Sequence, residues 1–109
     1  MPRLRLMQIS CFDKNEPRHD EPMLYVDGKK VWSRKGVKEG QCFQLHNQIT
    51  PIKFTESITI KLMEDDKWHD DHIGTHTVHK SEADDNTLRA VDFKGSGAYY
   101  YLIYHVLEN

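Results

Sequence analysis

A chain of 109 residues has room for one modest core and not for two. With 29% charged against 38% hydrophobic residues, much of its apolar content must go to thin, half-buried elements. A formal net charge of -2, with no basic stripe interleaved with the aromatic residues, excludes a general nucleic-acid binder. The N-terminal Met-Pro-Arg-Leu-Arg-Leu-Met-Gln has no apolar h-region, so no secretory signal is expected. No apolar run approaches the length of a membrane span, and the expected location is the cytoplasm. Cys11 and Cys42 lack CxxC spacing. They read as small hydrophobes near strand ends in a reducing compartment, and no disulfide between them is implied.

In chain order, residues 3–11 form the first expected strand. Leu4 and Leu6 lie on one phase and Met7, Ile9 and Cys11 on the other, which predicts a bulge or a strand buried on both faces. Residues 23–26 and 30–32 flank Asp27-Gly28, a two-residue hairpin signal. Strands are also expected at 41–46, 57–63, 73–79 and 87–93. Gly95-Ser96-Gly97 then turns the chain into Ala98–Leu107, an aromatic and aliphatic run with strong strand preference. No strong amphipathic helix, repeat or linker interrupts the series. The pattern predicts an all-β fold, a single antiparallel β-sandwich of about eight strands spanning 1–109.

If each strand reverses the one before it, loops 12–22, 33–40, 64–72 and 94–97 gather at one end. Asp27-Gly28 and loops 47–56 and 80–86 gather at the other. The apolar alternation of Ile58, Ile60 and Leu62 then runs into Glu64, Asp65, Asp66, Asp70 and Asp71, offset locally only by Lys67. These acids are expected on the loop leaving the strand end. Carboxylates so crowded repel one another unless a cation or a basic neighbour relieves them. The first loop brings Asp13, Glu16, Asp20 and Glu21 to the same end. Convergence of oxygen ligands from non-contiguous segments is what a calcium site requires. The rival is internal neutralisation by Arg34, Lys35 and Lys38 in loop 33–40. Glu82, Asp84 and Asp85 fall at the opposite end and read as a solvated turn.

Other chemistry is less well supported. His69, His72 and His76 lack zinc-site spacing, because an i,i+4 pair shares a face only on a helix, so they read as surface residues. The acidic loop has no Asp-x-Asp-x-Asp-Gly and no flanking helices, unlike the helix-loop-helix calcium sites. No nucleophile–base pair or phosphate-cradling glycine loop can be named, and a non-catalytic protein is expected. Trp32 and the tyrosines of 99–104 read as core and cross-strand packing. Trp68, at the tip of the acidic loop, reads equally as a membrane or partner anchor and as a ring folded back on the loop base.

Two segments resemble a known family. Asp20-Glu21-Pro22-Met23-Leu24-Tyr25-Val26 resembles the Ser-Asp-Pro-Tyr-Val strand start of the C2 domain, the calcium- and phospholipid-binding β-sandwich of protein kinase C and synaptotagmin type. Residues 62–74 resemble that family's third calcium loop, with Asp-x-Asp, a short spacer and Asp-x-Ile/Leu-Gly. Glu64 and Asp66 stand at the Asp-x-Asp positions, Asp71 at the later aspartate and Glu21 at the aspartate of Ser-Asp-Pro, while Asp13 supplies an earlier acid. The chain departs from the family in carrying Glu at two of these positions, in a third loop one residue shorter, and in lacking Asn-Pro-x-Trp. The resemblance implies a compact, divergent C2-like binding module. Ca²⁺ would be held by Asp13, Glu21, Glu64, Asp66 and Asp71, with Glu16, Asp20, Asp65 and Asp70 nearby. Its partner would be an anionic membrane surface or a protein, with Trp68 as anchor. The alternative is a metal-independent structural or interaction protein, a component of a larger assembly.

Overall fold

The computed structural model of the chain describes residues 1–13, 21–65, 70–84 and 87–108. Nine strands occur among them: β1 (Arg3–Asp13), β2 (Glu21–Val26), β3 (Lys29–Ser33), β4 (Cys42–Gln44), β5 (Ile52–Lys53), β6 (Ser57–Asp65), β7 (Asp70–His79), β8 (Arg89–Gly95) and β9 (Ala98–Leu107). A single 3-10 turn, Lys80–Glu82, follows β7. The strands form two antiparallel sheets. The first has the order β4-β1-β9-β8, with β5 also on β1, and the second has the order β3-β2-β6-β7. The core lies between them and is built by alternation, as in β6, where Ile58, Ile60 and Leu62 point inward and are fully buried.

Departures from strict alternation have local causes. Met7 is an extra residue on β1, between Leu6 and Gln8 of the β9 ladder, so Leu4 and Leu6 before it and Ile9 and Cys11 after it all face the core. The Met7 carbonyl, displaced from the ladder, accepts the Leu45 backbone N–H at 2.8 Å. Asp27 (φ 47°) and Gly28 (φ 83°) both take the left-handed conformation that a two-residue hairpin needs. Asp27 is also tied to β6, since its Oδ1 accepts the Thr59 N–H at 2.9 Å. Cys11 is buried, Cys42 is exposed, and no disulfide joins them.

Loop parity holds. Register sets the end of β1 against the start of β9, and the start of β2 against the end of β6 and the start of β7. The Ser96 hydroxyl of the β8–β9 turn donates to the His72 carbonyl at 3.1 Å, which brings both sheets' loops to one end. The opposite end holds the β2–β3 turn and the 3-10 turn, whose Lys80 N–H reaches the Glu56 carbonyl at 3.0 Å. With extents of 41 × 24 × 21 Å, charges at the two ends lie beyond a Debye length of about 8 Å and act separately.

The end away from the acids is more ordered than a solvated turn. Glu82 accepts the His79 N–H at 2.8 Å and the Tyr104 hydroxyl at 2.6 Å, and Arg89 lies 3.8 Å from it. With its proton directed at Glu82, the Tyr104 oxygen accepts from His76 Nε2 at 3.2 Å. His76 is therefore a half-buried member of a polar network and not a surface residue, whereas His72 is exposed. Burial and the Glu82 hydrogen bond push the Tyr104 phenol well above its ordinary 10.0. The stability gained from keeping it neutral is fully present below pH 10.0 and is lost as pH rises beyond it. Tyr104→Phe should make the alkaline limb of the stability–pH profile shallower, this one group contributing at most about 1.4 kcal/mol per pH unit. Urea midpoints measured across that limb check this.

Candidate binding site at the acidic end

The β6–β7 ladder runs further than the sequence suggests. Glu64 and Asp65 belong to β6, and Asp70 and Asp71 to β7. The acids expected on a loop thus form two rungs of a sheet. Glu21, Asp65 and Asp70 make one rung across β2, β6 and β7, and Pro22, Glu64 and Asp71 make the next. The pleat sends alternate rungs to opposite faces. Glu64 continues the inward phase of Ile60 and Leu62 and is 2% exposed, with the half-buried Asp71 opposite it. Glu21 and Asp65 share the outward phase of Met23 and Met63, and Asp65 and Asp70 are exposed.

Register therefore brings together some of the sequence-designated acids and separates others. Glu64 and Asp71 meet on the inner face. Glu21 lies one rung away on the outer face, and Asp13 pairs with Tyr99 in the other sheet. Asp66, Glu16, Asp20, Trp68 and His69 lie outside the described residues. Among the described residues, no three His, Cys, Asp or Glu side chains stand together as a metal-holding group. As donor chemistry the Glu64–Asp71 pair fits a hard cation, being oxygen-only and anionic.

Among the described residues, neither Arg34, Lys35 nor Lys38 ion-pairs with a carboxylate, and the Lys80–Glu56 and Arg89–Glu82 pairs lie at the far end. Arg34 instead lays its guanidinium 5.0 Å from the Phe43 ring centroid, and Phe43 stacks on the buried Trp32 at 5.6 Å. Val37 anchors the loop in the core. The middle carboxylate of the outer rung, Asp65, thus has an acid opposite it on both sides. Like charges directly opposite are destabilising, so Asp65→Asn should raise stability by about 0.2–1 kcal/mol in urea unfolding.

One aromatic residue at the same end was not singled out from the sequence. Phe12, the extra residue where β1 bulges between Cys11 and Asp13, is 51% exposed. Its ring packs 5.0 Å from Tyr99 and 5.8 Å from Tyr101 on the outer face of the first sheet. Lys94 covers Tyr99 from 4.4 Å, and Tyr99 donates to Asp92 Oδ1 at 2.8 Å, which raises the Tyr99 pKa. Phe12 follows the inward Cys11 and so takes the outward phase, beside the outward tyrosines. The cavity beside β4, about 250 Å³, is lined by residues 46–51 of one loop and lies away from the acids. Its His46 ring nitrogen faces the Met7 carbonyl at 3.4 Å.

No protein-family model matches the chain, and no curated protein matches it. Among solved structures it is similar to one described as a C2 domain, with a TM-score of 0.51 and 10% identity over 97% of this chain and 96% of that one. It is also similar to human GIVD cytosolic phospholipase A2 in complex with an inhibitor and terbium chloride, with a TM-score of 0.52 and 12% identity. That match covers 99% of this chain and 17% of the phospholipase chain. At such identities the likeness is one of fold. The chain has a C2-like β-sandwich fold.

Proposed function

We propose that this chain is a non-catalytic binding module that works through its acidic end, taking up Ca²⁺ there and engaging an anionic membrane surface. The observation that carries the reading is the inner rung, where the 2%-exposed Glu64 and the half-buried Asp71 stand opposite each other. Carboxylates set opposite one another repel, and oxygen ligands from two strands suit a hard cation that relieves the repulsion. Asp66, two residues after Glu64 in the Asp-x-Asp resemblance, is the third proposed ligand. Glu21 and Asp13, placed on other faces, are proposed as outer contributors, with Glu16, Asp20, Asp65 and Asp70 completing the negative field. Bound Ca²⁺ would supply charge reversal, letting the end approach anionic headgroups. The cytoplasmic leaflet is the surface proposed, because its lipids carry that charge.

Trp68 is the proposed anchor. Its fluorescence should shift blue when phosphatidylserine vesicles and Ca²⁺ are added together, and revert with chelator or high salt. A tryptophan signal indifferent to vesicles in the presence of Ca²⁺ contradicts the membrane reading.

A second reading is favoured by the exposed Phe12 with Tyr99 and Tyr101 beside it. Aromatic residues are enriched at protein interfaces. On this reading the chain is a metal-independent interaction protein within a larger assembly. Partner capture that survives chelator and is lost in Phe12→Ser would favour it.

A further inference from the structure

Which acid faces Glu64 is decided by one extra residue. From His79 to Gly74, β7 pairs with β6 without interruption, ending with Gly74 opposite Leu62. The next pair is His72 with Met63, so Ile73 is a bulge, and beyond it Asp71 stands opposite Glu64. An unbroken ladder would have set Ile73 opposite Met63, His72 opposite Glu64 and Asp71 opposite Asp65 on the outer face. The bulge thus swaps a histidine for a carboxylate on the inner rung.

The first sheet holds this bulge from across the sandwich. Gly95, at the end of β8, lies so close to Ile73 that a Cβ built on it would stand 2.3 Å from the Ile73 carbonyl oxygen. The adjacent Ser96 donates its hydroxyl to the His72 carbonyl at 3.1 Å. Gly74 leaves room for Phe93, whose Cδ1 would be 2.5 Å from a Cβ there. Ile73 is itself 2% exposed. Two residues of the β8–β9 hairpin, neither of them acidic, therefore grip the peptide groups on which the direction of Asp71 depends.

We propose that Gly95 and Ser96 are positioning residues for the acidic end: they fix the Ile73 bulge and thereby set Asp71 against Glu64. The proposal rests on the acidic end being the binding surface, but the clamp itself can be tested without any ligand. Ser96 has a φ of +52°, so Ser96→Gly removes the hydroxyl while easing the backbone, and the fold is expected to be retained.

The test is amide hydrogen exchange by NMR on the metal-free full chain, followed by a Ca²⁺ titration of the same samples. Exchange at residues 71–73 should rise roughly two- to tenfold in Ser96→Gly, the factor one net hydrogen bond carries, with residues 76–79 unchanged. Ca²⁺ affinity should fall by a similar factor, because Asp71 is then less well placed. Unchanged exchange at 71–73, or an equal rise along all of β7, overturns the clamp. So does a local rise in exchange with undiminished Ca²⁺ affinity. If the wild-type chain ignores Ca²⁺, the metal reading has failed, and the exchange pattern alone decides whether the clamp exists.

Discussion

Phe93→Ala should cost about 3–5 kcal/mol in unfolding free energy, the range for emptying a well-packed aromatic site. Phe93 is 1% exposed, and its ring occupies the space over Gly74 where a side chain of β7 would otherwise sit. The two positions are complementary, so they should be coupled. Gly74→Ala alone should cost about 1–3 kcal/mol through overpacking. Paired with Phe93→Leu it should cost less, with a coupling of about 0.5–3 kcal/mol. Gly95→Ala provides the contrast. The atom it meets is the Ile73 carbonyl, which no side-chain substitution at Phe93 removes, so no such rescue is expected. Urea unfolding of the single and double variants measures all of these terms.

The second large effect concerns ligand binding. Ca²⁺ at a hundredfold excess over its dissociation constant should stabilise the chain by about 2.7 kcal/mol. Mg²⁺ should do less, since it demands tight octahedral geometry and gives up water reluctantly. Glu64→Gln should remove most of the response, because it neutralises the buried member of the inner rung. Glu56→Gln, at the far end beside Lys80, should leave the Ca²⁺ response intact. Thermal unfolding in Ca²⁺ against chelator reads both variants.

The fold was legible because strand period and turn chemistry are local. The residues of Ala98–Leu107 could hardly be anything but a strand, and they are β9. Asp27-Gly28 marked its hairpin, and the phase change within β1 marked the bulge at Met7. Two-residue β5 escaped notice, since Ile52 and Lys53 alone carry no period and pair only because β1 lies beside them.

The site was less legible, because it depends on register. Charge and polarity made 64–72 read as a loop, yet pairing with β2 and β7 carries the strand through Asp65. Nothing in the order Asp70-Asp71-His72-Ile73-Gly74 announces that Ile73 is supernumerary, so the face of each acid could not be assigned. The same holds for Glu82. Its cap bond from the His79 N–H is local, but its role as acceptor for Tyr104 arises from a contact across 22 residues.

The most direct test of the acidic end as the binding surface is a ¹H–¹⁵N spectrum of the full chain followed through a Ca²⁺ titration, with anionic vesicles added at the end. The account predicts saturable shifts at the amides of Glu64, Asp65, Asp70 and Asp71, with those of Lys80–Glu82 and Asp27 unmoved. Vesicles should then broaden the same acidic-end resonances first. An acidic end that ignores Ca²⁺ and vesicles alike, or shifts centred on the far end, would contradict it.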